Sequence, residues 1–291
     1  MTLWQSLLLG LVQGLTEFLP VSSSGHLAIL KNLLGLKLET GLLFDVILHL
    51  GTLLAVFIAF FKDIRKLIAE GCGIVADLVR NLIIFFRNIG GANRSYIRIV
   101  RTNYRKFVVL VIVATIPTGV IGYVSRDLVE IVGAGLLVPG ICLMITGVLL
   151  LIADATGGGR KVPKDVSYTN GFLIGICQGI AVLPGISRSG TTISACLLSG
   201  FDRKFAVKFS FIMSIPAILG AAVLEIKDLD KTMFQSQDLI NYAVGALVAA
   251  VVGYICIKTM LVVVRNKKFK YFSIYCFAVG LIAVIGARFI V

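Results

Sequence analysis

The chain has 291 residues, of which 58% are apolar and 15% charged, against about 25% charged in an average soluble domain. That composition excludes both disorder and a soluble fold. The 28 Lys and Arg against 15 Asp and Glu leave a net charge of +13, which beside long apolar runs points to a membrane surface rather than nucleic acid as the partner.

The amino terminus, Met1-Thr2-Leu3-Trp4-Gln5, has no basic stretch and no small-residue cleavage site before the first apolar run, so no removable signal peptide is expected. Residues 1–36 are apolar but broken near their centre by Pro20 and Gly25, with polar residues at the break. A first predicted span, 41–61, leads into a basic stretch, 62–106, and then into spans 107–124 and 132–153. A second broken apolar segment, 171–200, carries Pro184, Gly185 and Gly190 at its centre, and spans 205–225, 239–264 and 271–290 complete the chain. At a helical rise of about 1.5 Å per residue each span can cross a hydrocarbon core roughly 30 Å thick. The predicted fold class is therefore an all-α polytopic membrane protein with six transmembrane helices, forming a single integral membrane domain. Cys72, Cys142, Cys177, Cys196, Cys256 and Cys276 show no CxxC spacing and fall mostly in apolar segments. They read as small buried packing residues, not as disulfide or zinc ligands.

Lys and Arg collect on cytoplasmic loops, and their distribution here is lopsided. Ten lie in 62–106 (Lys62, Arg65, Lys66, Arg80, Arg87, Arg94, Arg98, Arg101, Arg105, Lys106). Arg160, Lys161 and Lys164 follow in 154–170, Arg203, Lys204 and Lys208 in 200–208, and Arg265, Lys267, Lys268 and Lys270 in 265–270. The opposite ends carry only Lys31, Lys37, Arg126, Lys227, Lys231 and Arg288, while Lys258 and Arg188 lie within apolar segments. With the basic loops in the cytoplasm, the six spans alternate in direction from 41–61 running inward. Segment 1–36 must then begin and end outside, and 171–200 begin and end inside. Both read as re-entrant helical hairpins; one or two full spans for each is the competing reading.

The hairpins share a motif. QGLTEFLPVSSSGH (13–26) aligns without a gap on QGIAVLPGISRSGT (178–191) at a constant offset of 165 residues. The offset continues into the next span, pairing Phe44 with Phe209, Ile47 with Ile212 and Leu54 with Leu219. The chain thus reads as a duplication, repeat one 1–153 with a cytoplasmic insertion at 62–106 and repeat two 171–291. The two run in opposite senses, an inverted-topology repeat whose polar site lies where the hairpins meet near the midplane.

A tip with the pattern Ser-x-Ser-Gly offers hydroxyls and the free amides of a starting helix, a combination that favours an anion and phosphate above all. Two tips supply two donor clusters, which suits a diphosphate. Gln13, with Ser22, Ser23, Ser24 and Gly25 of the first tip, and Ser187, Ser189, Gly190, Thr191 and Thr192 of the second, are the candidate substrate-binding residues, the hydroxyls also being candidate nucleophiles. Intramembrane ionisable residues are functional candidates by default, and three stand out. Arg188 can hold phosphate oxygens bidentately or lock the hairpins as an ion pair. His26 can act as general base, general acid, nucleophile or helix cap. Glu17, on one helix face with Gln13, can bind a divalent cation, orient His26, or pair with Arg188. His49 reads as a hydrogen-bonded core histidine, Asp45 remains ambiguous, and the 62–106 run reads as a solvated or lipid-headgroup-facing surface.

These motifs, QGLTEFLPVSSSGH and LPGISRSGTT, resemble the two hallmark motifs of the undecaprenyl-diphosphate phosphatase (bacitracin-resistance protein) family, and the resemblance extends through FDVILHLGTLLAV and FSFIMSIPAILGA. It implies hydrolysis of undecaprenyl diphosphate to undecaprenyl phosphate and inorganic phosphate, which recycles the lipid carrier for cell-wall synthesis and gives bacitracin resistance. It also implies a bacterial inner-membrane location with an outward-facing site, a divalent cation (Mg2+ or Ca2+), and a polyprenyl diphosphate and membrane lipids as partners, with a homodimer as a further candidate. Carried onto this chain, the catalytic set is Glu17, Ser23, His26 and Arg188, with Glu17 as metal ligand. Many members have Glu where this chain has Gln13, so a cation held by two carboxylates is not expected; Glu17 and substrate oxygens must suffice. Ser23 activated by His26, His26 itself, or a water all stand as candidate attackers of the terminal phosphorus. The rival function is a transporter or flippase of an anionic lipid or small phosphate-bearing substrate, which needs an anion-binding tip but neither a nucleophile nor a general acid. A type-2 phosphatidic acid phosphatase is set aside because no histidine follows Arg188.

Overall fold

The computed structural model describes residues 1–34, 38–133, 135–156, 159–228 and 236–288, with the side chains of 33–34, 38–42, 130, 225–228 and 236–238 outside the description. Lys37, Lys227 and Lys231, the far end of the first predicted hairpin and the last residues of the final predicted span therefore lie outside the described residues or side chains.

The protein is an all-α polytopic membrane protein, with twelve α-helices among the described residues. Two helices form the first broken segment, α1 (Leu3–Phe18) and α2 (Ser23–Leu34). They are followed by α3 (Leu38–Ala59), α4 (Phe61–Ile89), α5 (Asn103–Val124), the short α6 (Arg126–Gly133) and α7 (Leu137–Ala155). The second broken segment is α8 (Tyr168–Ile180) and α9 (Arg188–Leu198), and α10 (Arg203–Asp228), α11 (Ser236–Arg265) and α12 (Phe269–Gly286) complete the chain. Five of these, α5, α7, α10, α11 and α12, are by themselves long and apolar enough to cross a membrane. The sixth predicted span is α3, joined to α4 through a bend of 88°.

The structure departs from the sequence reading in the basic stretch. Residues 61–89 form the continuous helix α4, not a loop, and the irregular connection is confined to 90–102. The reason is local: α4 has no proline, and an apolar stripe recurs along it at helical spacing. Cys72 stands exposed on this helix, unlike Cys142, Cys196, Cys256 and Cys276, which are buried packing residues.

Helix ends are set by matching local chemistry in the two broken segments. Thr2 caps α1 by accepting from the Gln5 amide at 3.3 Å, and Ser167, 165 positions later, caps α8 by accepting from the Asn170 amide at 3.1 Å. Pro20 and Pro184, one position out of register at that offset, follow the ends of α1 and α8 and prevent either helix from continuing. The helices then pack crosswise: α1 lies against α11, α8 against α5, and α7 against α12. Small residues permit the first two contacts. A Cβ added at Gly10 would meet the Gly245 carbonyl oxygen of α11 at 2.4 Å, and one at Gly175 would meet the Ala114 carbonyl oxygen of α5 at 2.2 Å. In lipid such close backbone approach supplies the dispersion contacts that a hydrophobic driving force cannot. Phe107, Phe201, Phe205 and Phe209 form a buried aromatic cluster that ties α5 to α10, and Phe18 of α1 meets Phe211 of α10 edge-on at 5.3 Å.

The α4 helix is held by charge. Buried Arg105 of α5 donates to Glu70 at 2.8 Å and to Asp77 at 2.5 Å, and Arg101 adds a contact to Asp77 at 3.1 Å. These hydrogen bonds from Arg105 hold the Glu70 and Asp77 carboxyls below the usual carboxylate range.

Two outcomes follow. Gly10→Leu has no room against α11 and should lower stability by about 1–3 kcal/mol, read as an earlier denaturation midpoint in detergent with α-helical content otherwise kept. Because both carboxyls are lowered in the folded state, their contribution is complete above the ordinary carboxylate pKa and disappears as the pH falls through the lowered values. Acidification below about pH 4 should therefore loosen α4 from α5 before the span bundle, seen as selective faster proteolysis within 90–102.

Candidate functional site

The two breaks meet. A Cβ added at Gly25 would lie 3.0 Å from the Gly185 Cα, and one at Gly190 would lie 3.2 Å from the Pro20 Cβ. Gly190 and Gly185 are the 165-residue counterparts of Gly25 and Pro20, so the two tips touch through reciprocal positions. Gly185 takes φ +96, which glycine permits, while Ser22 holds φ 67 with a side chain. Left-handed backbone at a β-carbon-bearing residue costs of order 1–3 kcal/mol and persists only where its surroundings over-determine it.

Those surroundings are visible. Ser22 Oγ accepts from the Gly25 amide at 3.3 Å and lies 3.3 Å from Ser24 Oγ. In the second tip Ser187 Oγ accepts from the Gly190 amide at 3.1 Å and lies 3.3 Å from Ser189 Oγ. Each tip is also clasped from outside. Thr146 of α7 donates to the Gly185 carbonyl at 3.1 Å and accepts from the Ser187 amide at 2.9 Å, and the Cys276 thiol of α12 lies 3.7 Å from the Pro20 carbonyl. Ser189 donates across the gap to the Leu19 carbonyl at 3.2 Å.

Glu17 is the centre of the arrangement, its side chain 3% exposed. One carboxylate oxygen accepts from Arg188 of the opposite tip; the other accepts from Ser23 Oγ at 2.6 Å and from Gln13 Nε2 at 3.1 Å. The sequence-predicted set Gln13, Glu17, Ser23 and Arg188 is therefore assembled in direct contact, although Glu17 and Arg188 are 171 residues apart. Thr192 donates to the Arg188 carbonyl at 2.8 Å and pairs with Ser210 at 2.5 Å, while the Thr191 hydroxyl is buried without a hydrogen-bond partner. The first amides of α2 and α9 have no intrahelical acceptor, and both helices begin where the two tips touch.

His26 is placed differently from the sequence expectation. Its Nδ1 donates to the Ser22 carbonyl at 2.8 Å, and its Nε2 accepts from Tyr275 Oη at 2.7 Å, the two rings stacked at 5.5 Å. Ser23 is thus hydrogen-bonded to Glu17, not to His26. His49, read from the sequence as a core histidine, has its Nε2 3.8 Å from Glu17 and its side chain 33% exposed, with Nδ1 donating to the Asp45 carbonyl at 2.8 Å. Asp45 itself pairs with Lys31 of α2. Tyr275 and Thr146 were not legible as site residues, since each sits alone in an apolar helix without a motif, and His49, though inside FDVILHLGTLLAV, was read as a core histidine.

The family is shown by comparison. A family model described as "Bacitracin resistance protein BacA" matches residues 6–282. The chain belongs to this family. It is 40% identical over 280 residues to an undecaprenyl-diphosphatase of Methanosphaera stadtmanae, covering 96% of each chain. It is likewise 40% identical over 285 residues to the protein of that name from Alkaliphilus metalliredigens, covering 98% of each, and 42% identical over 280 residues to that from Desulfosudis oleivorans, covering 95% of each.

The donor set bears on the cation that the bacitracin-resistance family resemblance implies. Among the described residues no cluster of three or more His, Cys, Asp or Glu exists. One carboxylate, Glu17, stands at the junction, and Gln13 turns its Nε2 toward it while the Gln13 Oε1 is buried and without a hydrogen-bond partner. A hard cation that keeps waters and shares substrate phosphate oxygens fits such a single carboxylate. Replacing Gln13 by Glu adds a second carboxylate, so Gln13→Glu should tighten Mn2+ binding by on the order of tenfold, measured by electron paramagnetic resonance titration of the purified protein.

Proposed function

We propose that the chain hydrolyses undecaprenyl diphosphate to undecaprenyl phosphate and inorganic phosphate, a membrane hydrolase that recycles the lipid carrier for wall synthesis and gives bacitracin resistance. The observation that carries this reading is the Ser23 hydroxyl directed at the Glu17 carboxylate where two helix N-termini and Arg188 converge. The relatives' printed name, undecaprenyl-diphosphatase, supports it.

In this reading the terminal phosphate sits between the tips, with the first amides of α2 and α9, Arg188 and the hydroxyls of Ser24, Ser189, Thr191 and Thr192 receiving its oxygens. Ser23 Oγ attacks the terminal phosphorus, its proton passes to Glu17, and the bond to the lipid-phosphate oxygen breaks. Water then cleaves the phosphoserine. His26, oriented by Ser22 and Tyr275 with Nε2 unprotonated, takes a proton from that water once Tyr275 yields Nε2, while Glu17 returns its proton to Ser23 Oγ as phosphate leaves. A divalent cation held by Glu17 and substrate oxygens, magnesium or calcium, would neutralise charge on the diphosphate.

The two halves are inverted repeats with re-entrant hairpins, a reading supported by the paired caps, the reciprocal tip contacts and the crosswise helix packing. The site opens toward the outer face of a bacterial inner membrane. Supporting this, Ser23, His26 and His49 on the α2–α3 side are partly exposed, while Ser187, Ser189 and Thr192 are buried, and the basic loops gather at the other face.

Purified protein in detergent should release phosphate from a polyprenyl diphosphate, with Ser23→Ala, Glu17→Gln and Arg188→Ala each slowing release by about 100-fold or more at unchanged helical content. Acid-stable phosphate on Ser23 after quenching supports the covalent route, whereas an acid-labile adduct moves the nucleophile to histidine. No adduct and an active Ser23→Ala protein make water the attacker. Vesicle uptake of substrate without phosphate release would replace the enzyme by a transporter.

A further inference from the structure

We infer that α4 is an interfacial helix that lies along the cytoplasmic-side surface of the bilayer and recruits anionic phospholipid headgroups. The bend of 88° after Ala59 turns the chain from α3, a membrane-crossing direction, into the membrane plane. At about 1.5 Å per residue the 29 residues of α4 extend roughly 43 Å, and its dense charges make it unfit to cross.

The helix sorts its residues into three faces. One packs on α5 through buried Ile64, Leu67 and Ile74. The acids share that inner side: Asp63 accepts from Tyr104 and Lys208, both at 2.9 Å, and Glu70 and Asp77 are taken by Arg105. A second face is apolar and exposed, running from Phe61 through Ile68, Val75, Val79 and Phe86 to Ile89, the last 70% exposed. The third face is basic. Lys62, Arg65 and Arg87 have no carboxylate partner among the described residues, and Arg80, 67% exposed, reaches Asp77 only at 3.6 Å.

Every acid of the helix is thus neutralised inward while its cations stay outward, beside a continuous apolar stripe. A water-facing helix does not need the stripe, and a second copy of this chain would have to meet this basic face with its own basic face. An anionic lipid surface satisfies both, with the stripe in the acyl boundary and the cations at the phosphates.

The test uses the full chain with a single reporter, Trp4→Phe/Phe86→Trp, in nanodiscs of phosphatidylcholine with or without phosphatidylglycerol. Quenching strongest by lipids brominated near the headgroup is expected. No quenching, or quenching strongest at the acyl terminus, overturns the interfacial placement. In native mass spectrometry against a mixed lipid pool, wild type should prefer phosphatidylglycerol, and Lys62→Gln/Arg65→Gln/Arg87→Gln should lose that preference by about fivefold per charge at unchanged helical content. An unchanged preference overturns the lipid assignment. Efficient oxidative cross-linking between exposed Cys72 residues of two chains would assign the face to a second copy instead.

Discussion

Backbone that leaves the helix at membrane depth has no water to bond to, and in the re-entrant reading proposed above the protein sets two such breaks against each other. Each unsatisfied amide or carbonyl in hydrocarbon would cost several kcal/mol, so the breaks exist only because neighbouring helices supply partners. Ser22 and Ser187 turn their own hydroxyls back on the following amides, Thr146 and Cys276 clasp the turns from α7 and α12, and Ser189 reaches the opposite tip. The same features that satisfy the breaks leave the first amides of α2 and α9 without acceptors. The anion site proposed above is what remains after the rest of the turn has been satisfied.

The Glu17–Arg188 pair follows from that geometry. A buried ion pair returns little net stability compared with well-packed apolar groups of similar size, because both partners are desolvated. Its presence between the two tips is better explained by what each partner does alone. Arg188 would leave a strongly positive junction unbalanced between two helix N-termini, and Glu17 both balances it and aligns Ser23 at 2.6 Å. An arriving anion competes with Glu17 for the guanidinium. It would release the carboxylate to take the Ser23 proton, so binding and activation are coupled through one pair of side chains.

Much of this was legible beforehand. The spans were readable because hydropathy and length speak directly to crossing a bilayer, and α5, α7, α10, α11 and α12 start within about five residues of their predicted positions. The convergence of Gln13, Glu17, Ser23 and Arg188 was readable because a gapless internal repeat implies that its two polar breaks are equivalent. The rest required long-range packing. Nothing local says that Tyr275 faces His26 across 249 residues, or that His49 points at Glu17 instead of into an apolar core. The helix α4 was hidden by its charge, since a count of Lys and Arg sees ten basic residues in 62–106 and not the placement of five of them around a helix.

That placement also bears on the symmetry of the molecule. Where α3 continues into a 29-residue amphipathic helix, its counterpart α10 is followed by a short connection that leads directly to α11. In the proposed inverted-repeat reading the halves match at the tips, where the chemistry proposed above uses two equivalent donor clusters, and differ at the loops. Arg105 shows how the difference was accommodated: it sits in the first turn of α5, a position free of the helix core, and gathers the carboxylates of α4 without touching the contacts between α5 and α8. An added surface helix can in this way be anchored on one half of a symmetric bundle while the junction of the two halves is left intact.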